Sequence, residues 1–455
     1  MNRGMTDTIA ATDNLPAEII APNVCAICAQ LAHGPLVRTE SLPEGFQQII
    51  KANASLDVEQ VCARCVELFY RAQRQTESQS SIFEQYSFVL PTPLRMDADE
   101  RFTGKGVTIA FLDSGFYRHP DLVTPRDRIV AYHSIFSADG DTTSLETTDV
   151  ASWHGMMTSV VAAGNGTLSD GFYRGIASES DLALVKIGRT GRITEDQIRT
   201  GLEWVLANAA RLKIRVVNIS AGGDFDESYL TNALSRTVEK CTRAGITVVC
   251  AVGNAGHVPG HPVLPPASAP SCIAVGGLDD QNSLDRARRG MYRSSYGPTV
   301  DGLQKPELIA PGIWVAAPIL PHTPTAEAAE LYSLLNAADD EQLQTMIEEH
   351  ATVDKDLAEA KELRTPVLRQ LITIKLREGN VINSHYKYVD GTSFAAPIVS
   401  SIVACMLEAN PQLTPQQIKR LLIKTAERVP DVDVDRQGWG VVNARRALQL
   451  ATNGN

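Results

Sequence analysis

Three side chains in this sequence could cooperate in nucleophilic chemistry, and each falls where the chain changes direction. Ser393 sits in Gly391-Thr392-Ser393-Phe394-Ala395-Ala396-Pro397, a run of small residues leading into the apolar helical pattern Ile398 to Leu407. The first turn of a helix has backbone N–H groups without intrahelical acceptors, and its dipole favours developing negative charge. A serine there can equally be a plain N-cap, and it becomes a nucleophile only with a base beside it. His154-Gly155 opens a second helical pattern, Met156 to Ala163, where a lone histidine reads as a cap or core residue. Asp113-Ser114-Gly115 ends the apolar run Val107 to Leu112, a common place for an Asx turn. Each residue is ordinary alone. Together they supply an acid, a base and a hydroxyl, in that order along the chain, which is the set needed for acyl transfer to a serine.

Those residues need a scaffold, and the sequence describes one. Val107 to Leu112, Leu182 to Ile187, Arg215 to Ile219, Thr247 to Val252 and Cys272 to Val275 are short β-branched-rich runs, apolar on both faces. Helical patterns separate them, among them Glu195 to Arg211 and Glu227 to Ala244. Alternating strands and helices predict an α/β domain, a mostly parallel sheet between two helical layers. In such sheets sites form beyond the carboxyl ends of the strands. Asp113, Ser220 and Asn254 all fall there. Residues 320–385 interrupt the rhythm with two acidic amphipathic patterns, Glu327 to Glu349 and Asp354 to Glu378, and read as a helical insertion. It leaves and rejoins the domain close to Ser393, so it is expected either to gate the site or to form a helical hairpin packed on itself.

At this point the chain resembles the subtilisin-like serine proteases. The resemblance rests on Gly106 to Gly115, His154-Gly155, Val217-Asn218-Ile219-Ser220-Ala221-Gly222-Gly223, Ala251-Val252-Gly253-Asn254-Ala255-Gly256, Lys305-Pro306-Glu307 with Ala310-Pro311-Gly312, Gly391 to Pro397, and Gly438 to Ala444. It covers about 104–320 and 386–450, and the order Asp, His, Ser is the family's own. It implies a three-layer αβα subtilisin-like fold and a serine endopeptidase acting on polypeptides. Ser393 would be the nucleophile, His154 the general base and Asp113 its orienting acid. Asn254 would donate to the oxyanion. Ser220, Ala221, Gly222 and Gly223 would pair with substrate backbone, with Gly253 in the opposite wall of an uncharged pocket. The resemblance also makes Asp121 a candidate Ca²⁺ ligand, although the surrounding sequence supplies no recognisable set of partners and a turn carboxylate is the competing reading. The His-Gly-Met-Met run at 154–157 departs from the family's usual His-Gly-Thr-His, and no familiar propeptide is recognisable in 1–100. Two rivals remain: an inactive binding protein on the same fold, and an adaptor centred on the N-terminal cysteines.

Those cysteines form two pairs, Cys25/Cys28 and Cys62/Cys65, separated by 33 residues. Four thiolates suit tetrahedral Zn²⁺, which would staple a module of about 50 residues. The predicted organisation is a mobile terminus at 1–22, a four-cysteine zinc-type module at 23–75, a linker at 76–100 and a peptidase domain at 101–452. A closed four-thiolate site is structural, and recruitment of a protein partner is its expected use. The chain has 455 residues, 44% apolar and 21% charged, with net charge -11. An acidic balance argues against nucleic-acid binding. No run approaches the roughly 20 apolar residues of a membrane span, and no basic-then-apolar leader opens the sequence. A cytoplasmic location is therefore expected, and paired cysteines then favour a metal over disulfides.

Overall fold

The computed structural model describes residues 36–42, 47, 60–62, 66, 89–137, 141–189 and 192–452. The chain divides into two units, Met1–Phe69 and Tyr70–Asn455. In the first, β1 (Leu36–Arg38) pairs antiparallel with β2 (Gln60–Cys62), Leu36 opposite Cys62. Cys62 is buried there; Cys25, Cys28 and Cys65, the other three predicted ligands, lie outside the described residues.

The second unit begins with β3 (Thr108–Asp113), β4 (Ile129–Ser134), α1 (Ser152–Ala163), β5 (Asp181–Lys186), α2 (Glu195–Leu212), β6 (Ile214–Ile219), α3 (Ala233–Arg243), β7 (Thr247–Ala251), β8 (Ile273–Asp279) and β9 (Leu308–Pro311). A hairpin of β10 (Val315–Pro318) and β11 (Tyr386–Val389) carries four helices in its loop: α4 (Pro324–Ala337), α5 (Leu343–Glu349), α6 (Lys355–Ala360) and α7 (Thr365–Glu378). The last elements are α8 (Thr392–Ala409), α9 (Pro415–Thr425) and α10 (Ala444–Thr452).

Seven strands form one parallel sheet in the order β9-β8-β7-β6-β3-β5-β4, with the two-residue strand Gly290–Met291 antiparallel against β8. Strand side chains alternate between faces. Ile109 and Phe111 accordingly pack with α1, α8 and α10, whereas Ala110 and Leu112 pack with α2 and α3. This is the three-layer αβα architecture the strand and helix pattern predicts. From β3 the sheet grows one way through β5 and β4 and the other way through β6 to β9. Its carboxyl end is therefore the topological switch point, where an open α/β sheet leaves a crevice.

Strands and helices match the sequence patterns to within a few residues, with instructive exceptions. α3 starts at Ala233 rather than near Glu227, because the Asn232 side chain accepts from Ser235 N–H as an N-cap while Ser228 and Tyr229 donate to Asp301. α8 is an 18-residue helix apolar enough to cross a bilayer, contrary to the expectation that no run approaches that length. Here it is the buried central helix, packed across β6, β7 and β8. Residues 89–100, predicted as linker, belong to the peptidase unit. Val89, Leu90 and Leu94 are buried, and the Arg95 guanidinium grips Asp280 through two 2.8 Å bonds and donates to the Ile313 and Trp314 carbonyls.

Each of the insertion's two patterns is broken into two helices. Pro366 cannot continue a preceding helix, so α7 starts beside it. The end of α4 is closed by Arg369 of α7, which donates to the Leu335 and Ala338 carbonyls and to Asp340. Leu331, Leu335, Leu343, Ile347, Leu357, Leu368 and Ile372 form a core of the insertion's own, rooted on Ile319 and Val381. Most of its apolar residues are buried in this core, while Leu334, Leu363 and Ile374 stay exposed.

Candidate active site

Asp113 is the last residue of β3, at the switch point, and is buried. His154 lies in the first turn of α1, its Nδ1 2.9 Å from both carboxylate oxygens of Asp113. The approach depends on Gly155. A Cβ built there would stand 2.1 Å from the Gly115 carbonyl oxygen and 2.9 Å from Asp113 Cβ. Only a residue without one lets α1 lie this close to the strand end. Ser114 N–H (2.7 Å) and Thr158 Oγ1 (3.3 Å) also donate to Asp113, so the carboxylate has a full set of donors and a fixed orientation. Burial is the strongest single influence on His154 and pushes its pKa down. The Asp113 charge and hydrogen bond together outweigh it and hold the imidazole above the ordinary 6.5. Because Nδ1 faces Asp113, Nε2 is the ring nitrogen turned away from the carboxylate.

Ser393 is the second residue of α8, where backbone N–H groups have no intrahelical acceptor. Pro397 lies four residues on and has no N–H for the Ser393 carbonyl. Ser220 Oγ, just past β6, donates to that carbonyl instead at 2.9 Å. Asn218 Nδ2 supports Ser220 Oγ at 3.1 Å, and Ser400 Oγ of α8 donates to Asn218 Oδ1 at 3.0 Å. These bonds pin the start of α8 to the end of β6. Ser393 Oγ donates to the Ser220 carbonyl at 3.4 Å. Among the described residues it makes no hydrogen bond to His154, whose ring stands 5.9 Å from that of the adjacent Phe394. A hydroxyl turns freely about χ1, and bonds between nucleophile and base are commonly loose until substrate binds.

Asn254 follows β7 and is exposed. Its Oδ1 accepts from Thr392 N–H (2.9 Å) and Thr392 Oγ1 (3.0 Å). A backbone N–H can only donate, so Oδ1 is the atom facing Thr392, and Nδ2, which has no acceptor among the described residues, lies beside Gly391. Gly253, at φ +104, donates its N–H to the same Thr392 hydroxyl.

The Subtilase family model matches residues 104–440. The chain belongs to the subtilase family. It is a serine peptidase by that membership, and its substrates are polypeptides. Serine protease AprX of Bacillus subtilis is 31% identical over 358 residues, 77% of this chain and 67% of AprX. Subtilisin BL of Lederbergia lenta is 25% identical over 76% of this chain and 92% of its own. Among solved structures, the CspB protease of Clostridium perfringens superposes with TM-score 0.56 at 17% identity, covering 78% of this chain and 94% of its own. Fervidolysin of Fervidobacterium pennivorans, a keratinolytic enzyme, superposes with TM-score 0.53 at 20% identity, covering 82% of this chain; the subtilase spans about half of fervidolysin, 47%.

Other expected positions of this subtilase fare differently. Ser220, Ala221 and Gly222 run past β6 toward the site, and a Cβ on Gly222 would meet nothing within 4 Å. Gly223 serves the fold. Its N–H donates to the Pro265 carbonyl at 2.6 Å, and a side chain there would strike Glu195. Asp121 is buried with Tyr386 Oη (2.5 Å) and Leu168 N–H (3.1 Å) donating to its carboxylate. His119 beside it is driven by burial to a pKa of about 4. Hydrogen-bond donors on both carboxylate oxygens are the reverse of the oxygen cage Ca²⁺ needs, so these residues do not fit that ion. The Lys305-Pro306-Glu307 motif is also structural: buried Glu307 bridges Lys305 and Lys419, each at 2.6 Å. Sequence reasoning gave no role to Gly155, Thr158 or Thr392. Gly155 and Thr392 were marked only by their place in matched motifs and Thr158 not at all, because each acts through a partner distant in sequence.

Proposed function

We propose that this subtilase is an endopeptidase in which Ser393 attacks the scissile carbonyl and His154 Nε2 takes its proton, later delivering it to the leaving amine. Asp113 holds the imidazole in the right tautomer and stabilises its charged form. Asn254 Nδ2 and the Ser393 N–H receive the oxyanion. The extended acyl half of the substrate pairs with Ser220 to Gly222 as an added strand, a mode that tolerates many sequences. The observation that carries the reading is the 2.9 Å contact between Asp113 and His154 at the switch point, beside a helix start bearing Ser393. A fluorophosphonate probe should label Ser393 and abolish peptide hydrolysis, and Ser393→Ala should lose both labelling and turnover while keeping the parent's circular dichroism. Unchanged turnover in that variant would refute the assignment.

For the N-terminal unit we propose structural zinc on Cys25, Cys28, Cys62 and Cys65, with recruitment of a protein partner as its role. The ligand spacing supports it, together with the small size of the unit. Metal analysis should find one zinc per chain, lost in Cys62→Ser; four reactive thiols and no metal would rule it out. A reducing, cytoplasmic setting fits the buried thiols Cys241, Cys250, Cys272 and Cys405.

A further inference from the structure

A cavity of about 340 Å³ opens beside the catalytic histidine, between the ends of β3 and β6 and the segment leading into α2. Val150, Trp153 and Ile193 give it apolar sides, and Arg189 lines its rim. Val150 and Trp153 are unusually bare for their types, 76% and 44% exposed, and Trp153 stands edge-on to the His154 ring at 5.2 Å. The two arginines of this segment differ. Arg192 is ion-paired with Asp224. Arg189 has no carboxylate partner among the described residues, and its guanidinium lies 4.6 Å over the Phe136 ring, which holds it without neutralising it. The other charge at the cavity, Asp113, is already answered by His154, Ser114 and Thr158.

We propose that Arg189 makes this peptidase select an acidic side chain, glutamate before aspartate, at the substrate residue just before the acylated one. The proposal rests on the endopeptidase reading above. Successive side chains of an extended peptide point to opposite faces. If the acylated residue turns its side chain toward the Gly253 wall, its predecessor turns toward the His154 side, where this cavity lies and shares Ser220 with the pairing segment. Apolar walls suit a methylene stem, and a planar guanidinium suits a carboxylate at its end. Glutamate has one methylene more than aspartate with which to reach from one to the other.

The test uses quenched-fluorescent peptides identical except for Glu, Gln or Lys at that residue. kcat/KM is measured at low salt for the full chain and for Arg189→Gln and Arg189→Glu. Ratios within each enzyme cancel any general loss of activity. In the parent, Glu should exceed Gln by about two- to fivefold, the range of a solvent-exposed ion pair, and Lys should be poorest. Arg189→Gln should bring the Glu/Gln ratio near one. Arg189→Glu should reverse the Glu/Lys order, and the preference should fade in 1 M salt. Cleavage of all three peptides without acid preference, or a preference untouched by Arg189→Glu, would refute the Arg189 assignment alone. No cleavage of any peptide and no fluorophosphonate label would refute the endopeptidase reading, and this proposal with it.

Discussion

Replacing Gly155 by alanine adds one methyl group and should disable the enzyme. The new Cβ would lie 2.1 Å from the Gly115 carbonyl oxygen, where an ordinary contact is 3.4 Å or more. The shortfall is 3.4 − 2.1 = 1.3 Å, and the obstacle is backbone, with Asp113 Cβ and Phe116 Cε1 also in the way at 2.9 Å each. Relief requires α1 to retreat by roughly 1 Å, which carries His154 Nδ1 from 2.9 Å to roughly 4 Å from Asp113 and breaks the hydrogen bond. A misplacement of about 1 Å costs about 10²-fold in rate, and complete loss of the acid's orienting role about 10⁴-fold. Overpacking should also lower stability by about 1–3 kcal/mol. The assay is kcat/KM on a short peptide across pH, with urea denaturation alongside. The acid limb of the profile should move to lower pH, because the Asp113 influence weakens while burial of the imidazole remains. A Gly155→Ala enzyme with kcat/KM within about threefold of the parent and an unmoved acid limb would refute the claim that this glycine sets the Asp113–His154 distance.

Asn254→Ala should lower kcat by about 10²–10³ with little change in KM, the effect seen when another member of this family loses its oxyanion-hole asparagine; a loss mainly in KM would make Asn254 a substrate-binding or structural residue. The base must be neutral to accept a proton and its pKa lies above 6.5, so activity should rise with pH through a limb above 6.5, and Asp113→Asn should move that limb down as it lowers kcat. For folding the sign runs the other way: the Asp113–imidazolium contribution is full below about 6.5 and lost as pH rises through the raised folded-state value, so the stability gap between parent and Asp113→Asn should narrow from pH 5.5 to 8.5 in urea titrations. Exchanging 325–380 for a short Gly/Ser linker should leave the ratio of folded-protein to peptide cleavage within about twofold, since the insertion packs on itself; a marked rise in that ratio would establish it as a gate.

The strands were legible because a strand covered on both faces must be apolar throughout, a pattern that survives without neighbours. Asp113, His154 and Ser393 were legible as types in an order, each at an element's end. What escaped depends on partners far along the chain. α3 loses its first predicted turn to Asp301, more than 70 residues away. Helix α4 ends where Arg369 caps it, about 30 residues on. Thr392 reads as one more small residue until Asn254, 138 positions earlier, comes to lie against it. Gly223 carries a second demand hidden for the same reason: a side chain there would meet Glu195 of α2.

The central position of α8 also governs the order in which the molecule can be completed. Every strand of the large parallel sheet is made before residue 312, yet the helix filling the middle of one face begins at Thr392. Until the ribosome has delivered it, Val216, Val249, Ala251 and Val275 lack the helix that covers them in the finished sheet. Such an intermediate is the kind that aggregates or recruits chaperones. Asp113 and His154 are synthesised some 280 and 240 residues before Ser393, which arrives on the helix that closes the core. The residues brought together at the switch point therefore meet only once this late helix has docked.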